Sequence, residues 1–348
     1  MKELKIGLIG LGFMGTTHFR IYKGLKNARI AGIADIDPAK LSGDISKVVG
    51  NIGGGDNSVP LELAGIKTCA SGMDLINDPE IDMVDICVPT CDHQKIAIAA
   101  LEKGKHVFCE KPVCRSICEL NKLLEVARKS EPFFNVGMCI RAWPEYRHTR
   151  ELYLSGKLGR LRSASFRRLS PDISGNSWEN WFMDGEKSGA AILDLHLHDT
   201  DFVRHIFGRP LQVSSFGAKG IRSTGIDHVM TSYGYEDNAL VVAEGGWGAN
   251  KKVPFEMSFQ IICEKATVRL AGEGYKIYWE DGRIESPEIA DPALPTGWHQ
   301  ELAYFVDCVQ KGTPPRKYQT LDDVADSLKI VMAEIESVET KKSIRIKY

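Results

Sequence analysis

The chain has 348 residues, a length that suggests two domains rather than one. Apolar residues make up 43% and charged residues 26%, which excludes a disordered or collagen-like chain. The 44 Lys and Arg nearly balance the 46 Asp and Glu, so the charge indicates neither a nucleic-acid nor a membrane partner. No apolar run approaches the roughly 20 residues that span a bilayer.

The first 137 residues alternate strand and helix signals, a pattern typical of a parallel sheet covered on both faces. The predicted strands are Leu4–Ile9, Ala28–Asp35, Met83–Val88, His106–Cys109 and Phe133–Gly137. The predicted helices are Gly15–Lys26, Asp92–Lys103 and a segment that Ser116 caps and that runs to Ser130. The apolar start is too short and too rich in glycine for a signal peptide, so we interpret it as the first strand.

A glycine-rich loop interrupts this alternation at residues 50–58 and includes Gly53–Gly55. No strand leads directly into it, so its composition predicts a mobile surface loop rather than a second phosphate site.

The pattern changes after residue 138. Helices are predicted at Pro144–Ser155 and Ala190–Phe207, with an alternating strand at Leu161–Leu169 between them. Strand-like segments from Leu211 to Trp279 predict a largely antiparallel sheet. The chain then ends with predicted helices and a short strand: His299–Lys311, Leu321–Thr340 and Ile344–Lys347. We therefore predict an α/β protein with a doubly wound domain at 1–137 and a second α/β domain at 138–348.

The nine cysteines are odd in number and mostly lie in apolar runs. They form no Cys-x-x-Cys pair, and their spacing matches no common zinc pattern. A secreted disulfide framework would be small and evenly paired. We expect reduced thiols, a cytoplasmic protein and no metal.

A glycine motif follows the first strand and opens the first helix: Gly10-Leu11-Gly12-Phe13-Met14-Gly15. Gly10 permits a tight turn, Gly12 lets backbone amides approach a pyrophosphate, and Gly15 lets the helix pack on the strand. Asp35 lies 20 residues after Gly15, where a carboxylate binds ribose hydroxyls. This carboxylate repels a 2′-phosphate, and Ile36 adds no cation, so the motif predicts a Rossmann domain that prefers NAD to NADP.

A second motif, Glu110-Lys111-Pro112, follows a predicted strand at the edge where parallel sheets bind ligands. Lys111 could therefore approach a nicotinamide and act as an acid or base. The tripeptide alone is commonplace, and a solvated surface lysine is the alternative.

A third motif combines carboxylates and imidazoles. Asp194 and His198 are four residues apart, so on an α-helix they share a face, offset by about 40°. His196 points the other way, which predicts a packing or hydrogen-bonding role. If the segment were a strand, the three residues could instead bind a metal, but the apolar spacing that follows favours a helix.

Together these motifs resemble the glucose–fructose oxidoreductase/inositol dehydrogenase (Gfo/Idh/MocA) family over nearly the whole chain. The glycine motif, Glu110-Lys111-Pro112 and the helix containing Asp194, His198 and Asp201 occur in the family's order. The stretch 137–159 and the ending from Glu301 onward also look like this family.

The resemblance implies an NAD-dependent dehydrogenase that acts on a CH–OH group of a sugar or polyol. It implies that Lys111 and His198 contact the reacting oxygen and that Asp194 supports them. Glu110 would lie near the nicotinamide ribose, and four further residues would line the cofactor: Val88, Pro89, Thr90 and His93. The resemblance also implies a large open sheet that forms a homodimer or homotetramer. Ala190 departs from the family, because a second glycine is frequent there.

The substrate side is less constrained. Trp178 and Trp181 could stack on a sugar ring or anchor their loop, and Arg141 could bind substrate or end a strand. Arg167 and Arg168 alternate on a strand, so at most one faces a cleft. Because the segment 170–184 offers carboxylates, amides and indoles rather than clustered cations, we expect an unphosphorylated sugar, glycoside or cyclitol. Two alternatives stay open: an NAD-retaining glycoside hydrolase or lyase that works through transient oxidation, and a non-enzymatic NAD-sensing regulator.

Overall fold

The structure is a computed structural model that describes residues 3–50, 52 and 57–348. The chain divides into two compact units. Unit 1 comprises Met1–Gly137, Gly175–Trp181 and Trp298–Leu321, and unit 2 comprises Met138–Ser174, Phe182–Gly297 and Asp322–Tyr348. The prediction for Gly53–Gly55 lies outside the described residues. The domain boundary after residue 137 stays a prediction.

Unit 1 contains a six-stranded parallel sheet with the order β3-β2-β1-β4-β5-β6. Its strands are β1 (Leu4–Ile9), β2 (Ala28–Ala34), β3 (Lys67–Cys69), β4 (Met83–Ile86), β5 (His106–Cys109) and β6 (Phe134–Val136). This is the strand order of a Rossmann fold, so the prediction of a doubly wound parallel sheet is confirmed.

Helices connect these strands: α1 (Phe13–Gly24), α2 (Pro38–Leu41), α3 (Gly72–Ile76), α4 (Thr90–Glu102) and α5 (Ile117–Lys129). Ser116 caps α5 as predicted, because its Oγ accepts a hydrogen bond from the Glu119 amide at 3.2 Å. The Glu119 carboxylate in turn accepts the Arg115 amide at 2.9 Å.

Unit 2 contains a nine-stranded sheet with the order β14-β13-β12-β11-β7-β10-β9-β8-β15. Its strands are β7 (Leu161–Pro171), β8 (Gln212–Lys219), β9 (Ile226–Gly234), β10 (Leu240–Ala249), β11 (Glu256–Cys263), β12 (Ala266–Ala271), β13 (Gly274–Trp279), β14 (Ile284–Glu285) and β15 (Ile344–Arg345). The β7–β10 pair is parallel and the others are antiparallel, which confirms the mostly antiparallel prediction.

The helices of unit 2 begin with α6 (Pro144–Leu154), α7 (Gly185–Ser188) and α8 (Leu197–Phe207). A π-helical turn at Ile192–His196 precedes α8, where the sequence predicts one regular helix over Ala190–Phe207. A π-turn is wider than an α-helical turn, so the prediction of uniform α-helix is wrong at these residues.

The chain returns to unit 1 through α9 (Gly297–Lys311). Its buried residues Leu302, Phe305 and Val306 join a core cluster with β1 and α1. The last helix, α10 (Leu321–Thr340), precedes β15. Within the described ranges, no helix combines the length and apolar character needed to cross a membrane.

Candidate active site

The glycine motif forms a close turn between β1 and α1. Gly10 has a φ of 95°, and a Cβ there would lie 2.5 Å from the Cys87 carbonyl oxygen. A Cβ at Gly15 would lie 1.9 Å from the Gly10 oxygen, whereas a Cβ at Gly12 would meet no described atom within 4 Å. The close turn therefore leaves no room for a side chain at Gly10 or Gly15, whereas Gly12 leaves open space beside the start of α1. This geometry fits a pyrophosphate at a helix N-terminus.

Asp35 lies beside this turn, at the end of β2. Its Oδ2 accepts the Leu11 amide at 2.7 Å, and its Oδ1 accepts the Asp37 amide at 2.9 Å. A carboxylate has about four acceptor sites, so capacity for ribose hydroxyls remains. Ile36 is 64% exposed.

Lys40 is not among the residues predicted from sequence, but its Nζ lies 3.5 Å from Asp35 Oδ2. The signal was Pro38 at the start of α2, with Asp37 as its N-cap, because a helix there turns Lys40 back toward Asp35.

The segment Val88–Thr90 leads from β4 into the start of α4, and its expected contact with the cofactor stays a prediction. His93 is buried on α4, and its two ring nitrogens lie 2.8 Å from the carbonyl oxygens of Val88 and Pro112. Burial lowers the pKa of His93, although both carbonyls oppose that change. His93 therefore joins two loops at the carboxyl edge of the sheet.

Glu110 and Lys111 follow β5 at the same edge. The Glu110 carboxylate accepts the Lys111 amide at 3.1 Å, and Lys111 is half-buried. A Cβ at Gly137 would lie 2.8 Å from Glu110 Oε1, so the glycine after β6 makes room for this carboxylate. The Lys111–Pro112 peptide bond is cis.

A buried polar cluster that the sequence argument missed lies below the glycine turn. His18 Nδ1 lies 2.8 Å from Asp85 Oδ2, which also accepts the Tyr22 hydroxyl at 2.8 Å. His18, Asp85 and Cys87 bring three potential metal ligands within 4.8 Å of one another. Burial raises the pKa of the Cys87 thiol, and Asp85 is already paired. This donor set fits a hydrogen-bonded ion pair better than a metal centre.

In unit 2, the segment that carries Asp194 and His198 starts with an unusual backbone. Gly189 and Ala190 have φ values of 79° and 56°, so both are left-handed, a conformation that glycine adopts more easily than alanine. Asp194 lies in the π-turn and is half-buried, and His198 lies in the first turn of α8 and is buried. The 40° offset expected for an α-helix therefore does not apply between them. The segment is not a strand, so the metal arrangement considered for a strand is absent from these residues.

His196 is fully buried against the sheet of unit 2. Its Nε2 lies 3.5 Å from both the Tyr233 hydroxyl and Glu334 Oε2. A Cβ at Gly245 would lie 2.7 Å from His196 Nδ1 and 3.1 Å from its Cα. The π-turn thus lies directly on β10, and the packing role predicted for His196 is confirmed.

Arg141 and Arg168 are buried in unit 2 and paired with carboxylates of α8. Arg141 donates to both oxygens of Asp201 at 2.7 Å. Arg168 donates to both oxygens of Asp199 at 2.9 and 3.0 Å. Arg141 is 1% exposed, which favours a structural role over the substrate contact considered from sequence. Arg167 lies on the exposed side of the strand and pairs with Glu244.

Trp178 and Trp181 belong to unit 1, within a short 3₁₀ segment kinked by left-handed residues at Glu179 and Asn180. Trp178 is 52% exposed, and Trp181 is half-buried. An exposed indole face is the kind of surface on which a sugar ring stacks. Of the predicted catalytic residues, Lys111 lies in unit 1, and Asp194 and His198 lie in unit 2.

Comparison with known proteins identifies the family. Residues 4–138 match the model of an oxidoreductase family with an NAD-binding Rossmann fold, and residues 146–269 match the GFO/IDH/MocA C-terminal domain. The chain belongs to the Gfo/Idh/MocA family. It is an NAD-dependent oxidoreductase, as the resemblance implied.

Relatives match this chain along most of their length. The myo-inositol 2-dehydrogenase of Thermotoga maritima is 24% identical over 99% of this chain and 98% of its own. The levoglucosan dehydrogenase of Pseudarthrobacter phenanthrenivorans is 27% identical over 74% and 72%. A solved structure of levoglucosan dehydrogenase with NADH and levoglucosan covers 100% of both chains with a TM-score of 0.82 and 21% identity. That structural likeness shows the shared fold.

Proposed function

We propose that this Gfo/Idh/MocA enzyme transfers a hydride between NAD and a secondary alcohol or ketone of an unphosphorylated sugar, glycoside or cyclitol. The observation that carries this proposal is Lys111, which follows β5 at the same sheet edge as the glycine turn. The names of the relatives, inositol and levoglucosan dehydrogenases, support the substrate class.

Three side chains perform the proton chemistry in this proposal. Bound NAD⁺ supplies the hydride acceptor. In the oxidative direction Lys111 or His198 takes the proton of the substrate hydroxyl, and Asp194 supports them. Trp178 and Trp181 cover the C–H surface of the ring. Arg141 is not included among the proposed substrate-binding residues, because its guanidinium is already paired with Asp201.

The state of the buried arginines supports a substrate without a phosphate. A phosphate dianion removed from water requires unsatisfied cations, typically arginines that bind in a bidentate manner. In unit 2, Arg141 and Arg168 are each already paired in that manner with an aspartate. Neither guanidinium is available for a phosphate unless its ion pair breaks.

The test is NAD⁺ reduction, followed by NADH absorbance, against inositols, aldoses and glycosides. We expect kcat/KM to be higher for inositol than for inositol phosphate, and for glucose than for glucose 6-phosphate. A clear preference for the phosphate esters would overturn the substrate class. Cleavage of a glycoside without added cofactor would favour the hydrolase or lyase alternative. Cofactor binding without turnover of any compound would favour the regulator.

We also propose that unit 2 forms a homodimer or homotetramer through one face of its sheet. Phe216 and Met230 are paired across β8 and β9 and are 78% and 51% exposed. Glu244 and Arg167 continue this row across β10 and β7. A flat face that exposes large apolar side chains is typical of an interface.

We further propose a cytoplasmic location. The structure describes all nine cysteines, and each is a free thiol. Free thiols suit a reducing compartment.

A further inference from the structure

Three elements of unit 1 place buried ionisable side chains around Glu110. His18 comes from α1, Asp85 from β4 and Glu301 from α9, and all three are at least 97% buried. Ionisable residues are rarely buried so completely unless they are paired. Their arrangement therefore requires a physical explanation beyond packing.

The contacts form a chain that ends at the Lys111 backbone. Asp85 Oδ2 lies 2.8 Å from His18 Nδ1, and His18 Nε2 lies 3.3 Å from Glu110 Oε1. The other Glu110 oxygen accepts the Lys111 amide at 3.1 Å. Among the described residues, His18 Nε2 and Glu110 Oε1 have no hydrogen-bond partner of good geometry, so this ion-pair contact is the interaction they share.

The charges of the chain complement one another. Burial opposes the charged form of His18, but Asp85 and Cys87 outweigh it, so the pKa of His18 is raised well above its ordinary value. Burial and the Glu110 carboxylate raise the pKa of Glu301 well above its ordinary value, which favours its protonated form. One imidazolium thus lies between two carboxylates.

We infer that the ion-pair chain Asp85–His18–Glu110 positions the Lys111 backbone for catalysis, which makes His18 a positioning residue of the reaction. This inference rests on the proposed function, because it takes Lys111 as the catalytic residue. An ionised Glu110 is a stronger acceptor for the Lys111 amide than a protonated one. Without the imidazolium, the Glu110 carboxylate would lie buried near Asp85 with no cation beside it, which disfavours its charged form.

Other titratable groups also face Glu110, and any pH effect must be assigned among them. They are His18 from α1, Asp85 and Cys87 from the β4 region, His93 from α4, Cys109 from β5, Glu301 from α9, and Lys111 itself. Burial raises the pKa values of the Cys87 and Cys109 thiols and lowers that of His93, so these three are neutral near pH 7.

The experiment compares His18→Gln with wild type across pH. Because a shift of about 1 Å in a catalytic group can cost about a hundredfold, we expect kcat to fall about tenfold to a hundredfold near neutral pH. The variant-to-wild-type ratio should recover as pH rises, because a higher pH favours the charged form of the acceptor that holds the Lys111 amide. A ratio that is the same at all pH values would show a merely structural role and overturn the inference, as would an unchanged kcat.

His106→Gln is the matched control. His106 begins β5, at the opposite end of the strand from Glu110. Its Nδ1 accepts a partly buried hydrogen bond from the Phe133 amide at 2.9 Å. His106→Gln is the same substitution on the strand that leads to Glu110, and it leaves the Asp85–His18–Glu110 ion-pair chain intact. Its pH profile should match that of wild type.

Asp85→Asn provides a second variant in case His18→Gln does not fold. It removes the carboxylate that keeps His18 charged, so it should produce the same pH-dependent loss. Glu110→Gln removes the carboxylate that joins His18 to the Lys111 amide, and His18→Gln should then add little further loss in the double variant. Additive losses would show that His18 does not act through Glu110.

A readout independent of turnover separates this inference from the proposed function. Amide hydrogen exchange of the segment 109–113, measured by mass spectrometry, should be faster in His18→Gln than in wild type near neutral pH. The difference should shrink as pH rises, and NADH binding measured by fluorescence should stay unchanged. If wild type oxidises no sugar or polyol, the proposed function fails. The exchange result still decides whether the Asp85–His18–Glu110 ion-pair chain holds the Lys111 backbone in place.

Discussion

Asp35 and Lys40 form a charged pair at the end of β2, and they bear in opposite ways on the cofactor's adenosine ribose. We expect the carboxylate to accept ribose hydroxyls and to repel a 2′-phosphate, whereas the nearby ammonium would attract one. We therefore expect the preference for NAD to depend on Asp35, because the Lys40 ammonium is paired with that carboxylate.

Asp35→Ser should shift the kcat/KM ratio toward NADP⁺ by about tenfold or more, equivalent to about 1.4 kcal/mol. Adding Lys40→Met should remove that gain, because no cation then faces the 2′-phosphate. Steady-state kinetics with both cofactors measures the two ratios. An unchanged ratio in Asp35→Ser would show that cofactor choice is set elsewhere.

Substitutions of the predicted catalytic residues should lower kcat much more than a substitution of the neighbouring His196. Lys111→Met and His198→Asn should each lower kcat by about 10²- to 10⁴-fold while NADH binding persists, because each removes a proton-transfer group. His196→Asn should be much milder, since His196 packs against β10. Equal losses at His196 and His198 would contradict this division of roles.

At the scale of elements, the sequence predicted the parts whose signals are local. Continuous apolar runs marked the buried strands, and Ser116 with Glu119 marked the start of α5. The edge strand β3 was missed because it has three residues and is mostly exposed. Local patterns carry little information about so short a strand.

The site was predictable in part for the same reason. The glycine turn, Asp35 and Glu110-Lys111-Pro112 are contiguous motifs that can be found in one sequence. The pairing of His18 with Asp85 joins residues 67 positions apart, and no local pattern indicates it. The π-turn likewise depends on close packing against Gly245, a tertiary contact that helical periodicity does not show.

Gly245→Ala tests that packing. Its Cβ would lie 2.7 Å from His196 Nδ1 and 3.1 Å from its Cα, so the π-turn or β10 must shift. Overpacking of this kind costs typically about 1–3 kcal/mol. We expect a lower Tm and a lower kcat, with NADH affinity unchanged. At Gly272 an added Cβ meets no described atom within 4 Å, so Gly272→Ala serves as the control and should leave both values close to wild type.

At the scale of the whole molecule, the exposed sheet face predicts how copies of the chain associate. Phe216→Asp and Met230→Asp each replace a large exposed apolar side chain on that face with a charged one. If unit 2 assembles through this face, either variant should elute later than wild type in size-exclusion chromatography. Analytical ultracentrifugation should then give the mass of a monomer. Wild-type assembly in both variants would exclude this face.

The stability of the molecule should depend on pH through Glu301. Its pKa is raised in the folded state by burial and by Glu110. The stability that its proton gives is therefore fully present below the unfolded pKa of about 4.3 and is lost as pH rises through the folded pKa. Glu301→Gln cannot lose a proton, so its Tm relative to wild type should increase as pH rises above about 4.3. Glu102→Gln makes the same substitution at an exposed position of α4 and serves as the control.

The return of α9 to unit 1 has a consequence for folding during synthesis on the ribosome. Domains usually fold from the N-terminus as they emerge. Here Leu302, Phe305 and Val306 complete the core around β1 and α1, so the nucleotide-binding half waits for almost the entire polypeptide before its interior closes. Until then, nascent chains expose an apolar surface at residues made first, and this surface is a natural substrate for a chaperone. A premature stop before residue 297 would leave even the first 137 residues without a finished core.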